Sequence, residues 1–215
     1  MKRNYFLVGF ALLAATLVAT AIAYPHLPDM VPAHWDAHGA VDHFSPKWRL
    51  FLDVPVGIAG ILGLFALLPW LSPKRFEVDT FRSTYLYIML VIAGLFVYMH
   101  GVLLYSALTG RMNMNRAILC GVCLLYALLG NVLGKVRRNF YIGIRTPWTI
   151  ANETVWNATH RLAGRLFFVC GVTGMALAFL PTPLWLVVSV LAAGPLASVV
   201  YSLVFYKQLE RRGEV

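Results

Sequence analysis

The sequence predicts an all-α membrane protein, a bundle of six transmembrane helices with both termini in the cytoplasm. Three observations lead there. The 215 residues are 60% hydrophobic and only 13% charged, whereas a soluble chain is nearer ~45–50% apolar and ~25% charged. Six windows, at 5–24, 50–71, 84–108, 117–133, 162–180 and 184–206, meet or approach the roughly 20 apolar residues that a spanning helix needs. Their apolar runs are continuous rather than alternating, which favours helices over a barrel. Finally, the cations are asymmetric. Lys2, Arg3, Lys74, Arg75, Arg82, Lys135, Arg137, Arg138, Arg145, Arg161, Arg165, Lys207, Arg211 and Arg212 fall on one set of connections, and only Lys47, Arg49, Arg111 and Arg116 on the other. Lys and Arg concentrate on cytoplasmic connections, which sets the orientation.

Taken in order, the first window follows Lys2 and Arg3 like a signal peptide, but its apolar run exceeds the ~7–15 residues of a signal core, so it reads as a retained helix. The outer loop 25–49 contains Pro28-Asp29-Met30-Val31-Pro32-Ala33-His34-Trp35, an extended, proline-punctuated stretch expected to pack rigidly. In the second span Gly57, Gly60 and Gly63 recur every third position, and Gly130 and Gly134 close the fourth span; both sets are expected to be helix contacts. Pro55, Pro69 and Pro195 should kink or terminate their helices. Connection 72–83 is cytoplasmic and 109–116 a short outer turn. Span 117–133 is the shortest, and 135–161 is the long cytoplasmic loop. Within that loop Asn152 followed by Glu153 suits a helix start, and Trp156 and His160, four apart, would share a face. Pro181-Thr182-Pro183 forces a tight outer turn. No internal repeat is evident, so an inverted-repeat transporter is unsupported. The chain divides into an N-terminal two-helix region with a His-rich outer loop (1–71), a central helix pair (72–134) and a C-terminal region (135–215).

The net charge of +9 lies beside the spans, where cations meet anionic headgroups; membrane lipids are the expected partner and direct nucleic-acid binding is excluded. Cys120, Cys123 and Cys170 fall inside spans and read as packing residues, with no disulfide framework. The outer loop holds His26, His34, His38 and His43 with Asp29, Asp36 and Asp42. Imidazole and carboxylate suit zinc, so His34, Asp36, His38 and His100 form a candidate metal set. Asp53 lies at the outer end of the second span and His100 in the outer half of the third. Ionisable groups in a membrane usually face the bundle interior, so His34, Asp53 and His100 are expected to converge as an outer polar site. The alternative is interfacial hydrogen bonding alone. The sequence has no HExxH, no Gly-rich phosphate loop, no GxSxG and no intramembrane carboxylate pair. A non-enzymatic role is therefore favoured, and no cofactor other than zinc is a candidate.

The long cytoplasmic loop places specific polar and aromatic residues at a membrane surface that a simple helical connection would not need. Asn139, Gly143, Arg145, Thr146, Pro147 and Trp148, with Trp156 and His160, are the candidate partner site. Arg145 could fork onto a phosphate or carboxylate, with the Trp148 indole at the interface. The alternative is a purely structural interfacial segment.

At these residues the chain resembles the SdpI family of bacterial membrane proteins. The likeness covers Gly130-Asn131, then Asn139-Phe140-Tyr141-Ile142-Gly143-Ile144-Arg145-Thr146-Pro147-Trp148-Thr149, then Val155-Trp156, Thr159-His160-Arg161 and Gly164. The stretch from Leu27 to Trp35, with Gly39, Asp42 and Lys47, resembles a domain of unknown function that often precedes the SdpI region. The resemblance implies a six-span protein of the bacterial inner membrane. It further implies immunity or resistance toward a secreted, membrane-active toxic peptide, with signalling through the cytoplasmic loop to a cytoplasmic repressor as a further role. A small transporter or metal-dependent membrane enzyme using the outer His/Asp cluster is the alternative.

Overall fold

An apolar helix in lipid satisfies its own backbone groups, and this chain builds six such elements. The computed structural model describes residues 2–36, 38–73 and 78–214; Lys74 and Arg75 of the second basic cluster lie outside them. Helices α1 (Lys2–Ala23), α2 (Asp53–Leu71), α3 (Arg82–Thr109), α4 (Met114–Leu133), α6 (Glu153–Phe179) and α7 (Leu184–Arg211) are the long elements, and α5 (Pro147–Ala151) is a single short turn of helix before α6. Among the described residues, six helices are long and apolar enough to cross a membrane. The short α5 was not foreseen, whereas the start of α6 falls where Asn152-Glu153 predicts it, with the Asn152 side chain accepting the Val155 N–H at 3.1 Å.

Helix α3 packs against α1, α2 and α4, and α4 packs most extensively against α6, which carries α7. The largest core joins Ile58, Leu62 and Phe65 of α2 to Tyr85, Met89 and Ala93 of α3, and reaches Trp156 and Ala163 of α6. Elsewhere large apolar side chains such as Leu7, Phe10, Val56, Val172 and Val200 face outward. In water that exposure would be costly; against lipid chains it is expected. Trp70 and Trp185, near helix ends, are among the most exposed, as interfacial aromatics should be.

Two sequence features acquire causes here. Pro69 has no N–H for the Phe65 carbonyl one turn back, and the Tyr85 hydroxyl of α3 donates to that carbonyl at 2.9 Å. The glycines separate by role. A Cβ on Gly57 would meet Phe96 Cε1 at 2.6 Å, whereas Gly60 and Gly63 face open space within 4 Å, contrary to the contact expected of them. The close approach lies on α4 and α6. A Cβ on Gly130 would meet the Phe168 nitrogen at 2.4 Å, and one on Gly164 the Gly130 oxygen at 2.8 Å. These two helices touch backbone to backbone, as small residues permit in membranes. A Cβ at Gly134 would sit at ordinary contact distance, 3.5 Å from Arg161 Cα.

The loop between α1 and α2 forms an antiparallel hairpin, β1 (Met30–Trp35) and β2 (Val41–Pro46), paired from Met30↔Pro46 to Trp35↔Val41 with irregular register around His34. The extended stretch was legible in the sequence; the pairing was not. Val31 anchors the hairpin in a small core with Ala23, Leu27, Leu50 and Leu104. Asn115 at the start of α4 donates to the Asp36 carbonyl at 3.4 Å. At the same end, Arg116 donates to the carbonyls of Ala178, Leu180 and Thr182 at 2.9, 2.7 and 3.1 Å. It thereby satisfies groups left open where α6 ends.

Candidate functional site: a polar loop docked on the bundle

The loop between α4 and α6 is held by buried polar groups, nearly all of them satisfied. Asn139 is fully buried. Its Nδ2 donates to the carbonyls of Arg137 and Ile142 at 2.8 and 3.0 Å, and its Oδ1 accepts the N–H groups of Tyr141 and Ile142, both at 2.7 Å. Only an amide supplies two donors and an acceptor in so small a volume. Trp156, also fully buried, donates its Nε1–H to the Val136 carbonyl at 2.8 Å. His160 stacks on Trp156 with ring centroids 4.0 Å apart.

The protonation of His160 follows from its two partners. Its Nδ1 lies 2.8 Å from the Trp156 carbonyl, which can only accept, so Nδ1 carries the proton. Its Nε2 accepts the Ile144 N–H at 3.0 Å, so that nitrogen is bare and the ring is neutral. Gly143 has φ +113°, and a Cβ there would lie 2.2 Å from His160 Nε2. Glycine is required twice over, for the backbone conformation and for the space.

Thr146 and Thr149 then start α5. Each threonine side chain accepts the other's backbone N–H, at 3.3 and 2.9 Å, and Pro147 takes the first helical position where no donor is needed. The buried Thr149 hydroxyl also donates to the Ile144 carbonyl at 2.8 Å, and Thr146 Oγ1 lies 3.3 Å from Ser202 Oγ on α7. Arg138 donates to the carbonyls of Ile150 and Ala151, both at 3.3 Å, at the end of α5. Arg145 is exposed and donates to the Phe140 carbonyl, closing the turn on itself rather than forking onto a carboxylate. The Trp148 ring is half-buried, with its Nε1 enclosed and without a hydrogen-bond partner. Asn139, Gly143, Thr146, Trp156 and His160 thus form one network, and Arg145 and Trp148 lie beside it. Ser202 and Arg116 are the structural contributors that sequence reasoning did not single out. For Arg116, a cation at the mouth of an otherwise apolar span was the available signal.

The other candidate residues are arranged differently. His34 Nδ1 lies 2.6 Å from Asp42 Oδ1, and His38 Nδ1 3.8 Å from Asp36 Oδ2, all on the exposed hairpin. Asp36 also accepts the N–H groups of Ala40 and His38. The Ala40 N–H leads these neighbours in holding the Asp36 carboxyl below its ordinary pKa. Asp53 pairs with Arg49 at 3.4 Å. His100 is buried, and its Nε2 lies 2.7 Å from the Thr20 hydroxyl of α1, which donates to the Thr16 carbonyl. The structure gives His34, Asp53 and His100 the separate partners Asp42, Arg49 and Thr20. Among the described residues, no three His, Cys, Asp or Glu side chains gather as ligands for one metal.

A helical membrane bundle with a hairpin at one end and an ordered, buried polar loop at the other is the class these features define. Residues 135–205 match the SdpI/YfhL protein family, and residues 11–58 match a domain of unknown function, DUF1648. The chain is similar to the immunity protein SdpI of Bacillus subtilis (strain 168), with 26% identity over 179 residues that cover 83% of each chain. No solved structure matches significantly.

Proposed function

We propose that this chain is an immunity protein of the bacterial inner membrane, N-in and C-in, that protects its cell from a secreted, membrane-active toxic peptide. The observation that carries the reading is where the family likeness falls. It runs over 135–205 and so takes in the loop and helix start that bury Asn139, Trp156 and His160 in one satisfied network, together with the last two spans. A connection between two spans needs no such network for topology alone. The hairpin end meets the peptide or the envelope stress it causes, and the segment 139–165 is the cytoplasmic element that transmits or docks. The cation asymmetry supports that orientation. Arg145, exposed beside the network, is the contact point for a cytoplasmic partner such as a repressor, with the open side of the half-buried Trp148 ring next to it.

The test is deletion of the gene in its own host, followed by growth in that host's conditioned medium. Survival should fall and be restored by the wild-type chain at normal membrane abundance. Equal survival of deleted and intact cells would overturn the immunity reading. Reporter fusions at Gly39 and after the last helix test the orientation: they should report opposite sides of the membrane.

A further inference from the structure

The backbone contact of α4 with α6 leaves a cleft beside it of about 390 Å³, lined by Gly130, Asn131, Lys135, Arg161, Arg165 and Phe168. A second cavity of about 380 Å³ shares Gly134, Lys135 and Arg161 with it and adds Ser83, Arg137 and Asn157. Among the described residues, no Asp or Glu lines either one, and none of Lys135, Arg137, Arg161 and Arg165 makes an ion pair. Cations lining a shared recess with no acid of the described residues beside them call for an anion. The recess is also amphipathic. Arg161 and Arg165 are one helical turn apart on α6, and Phe168, three residues on toward the apolar body of the helix, has an outward-facing ring. Asn131, a polar residue inside a predicted span, faces this cleft rather than the helix core.

We propose that the α4–α6 cleft is a headgroup site for an anionic phospholipid, its phosphate held by Lys135, Arg161 and Arg165 and an acyl chain running past Gly130 and Phe168. Basic recesses between membrane helices suit phosphate headgroups, and the apolar floor selects a lipid over a free anion. The assignment stands apart from the immunity reading, since its test needs no toxin.

The test is titration of the purified full chain in detergent with phosphatidylglycerol and with phosphatidylcholine of the same acyl chains, read by native mass spectrometry. Each cation near such a headgroup is worth about fivefold in affinity, so Arg161→Gln/Arg165→Gln should lose about 25-fold for phosphatidylglycerol. Arg161→Lys/Arg165→Lys should keep most of the binding, which separates lost charge from lost folding. Removing the same charge elsewhere, with Arg211→Gln/Arg212→Gln, should leave binding unchanged. Equal affinity for the two lipids, or equal loss from the two Gln pairs, would overturn the site. Displacement of the lipid by inorganic phosphate at matching concentration would overturn the lipid assignment in favour of a free-anion site.

Discussion

The hairpin and the 135–165 loop hold comparable sets of polar residues and use them in opposite ways. On the hairpin, His34–Asp42 and His38–Asp36 stand in water as separate pairs. In the loop and the first turns of α6 beneath it, Asn139, Thr149, Trp156 and His160 are buried to completion and share their partners. An exposed pair exchanges one set of water contacts for another and contributes little. A buried amide or imidazole has no water to return to, so each lost partner costs the full desolvation of what remains. The lesson is that histidine richness marked the less constrained of the two regions.

The largest expected effect breaks the loop outright. Gly143→Ala drives a Cβ to 2.2 Å from His160 Nε2 while the backbone sits at φ +113°. The two penalties together should cost about 3 kcal/mol or more. Thermal unfolding in detergent and membrane abundance should both fall sharply; a near-normal melting temperature would mean that the loop re-forms without this contact.

Next comes Asn139→Asp. It removes the donors to the Arg137 and Ile142 carbonyls and places a carboxylate against them, at a cost of about 2–3 kcal/mol. Denaturant unfolding should show that loss, and it should exceed the loss from His34→Ala or Asp42→Ala on the hairpin. The reverse order would dissolve the contrast between the two regions.

Arg145→Lys sharpens the comparison within the loop. The arginine is exposed and its recorded partner is a backbone carbonyl, so stability should change by less than about 1 kcal/mol. Survival in conditioned medium should nonetheless fall if the guanidinium forks onto a partner, since an ammonium cannot reproduce that geometry. Unchanged protection at normal abundance would leave Arg145 as a turn-closing residue. The smallest effect is expected at the hairpin. A double-mutant cycle of His34→Ala and Asp42→Ala should return a coupling of about 0.2–1 kcal/mol that shrinks as salt is added.

The sequence showed which end of α6 begins the helix, because Asn152 and Glu153 act on their own neighbours. It likewise placed Trp156 and His160 on one face, since four residues make about one helical turn. It grouped His34, Asp53 and His100 by depth, whereas each has a partner of its own, Asp42, Arg49 and Thr20. Shared depth in a membrane says nothing about angular position around a bundle, and His100 faces Thr20 of α1 instead. The Gly57-Gly60-Gly63 spacing misled at Gly60 and Gly63 for the same reason. Three residues on one stripe read as contact, yet a stripe does not reveal which neighbour, if any, it faces.

By itself, the sequence determined the helical class and the six long apolar segments, because hydropathy over some 20 residues is a local property that lipid reads directly. Tertiary structure alone decided the pairing of the hairpin, the donation from Tyr85 to the carbonyl freed by Pro69, the clasp of Arg116 on the end of α6, and the cleft beside Gly130 and Gly164. Each of these joins groups on different elements, up to 66 residues apart in the case of Arg116. Their proximity depends on how the helices rotate and cross, and no local pattern of residues encodes that.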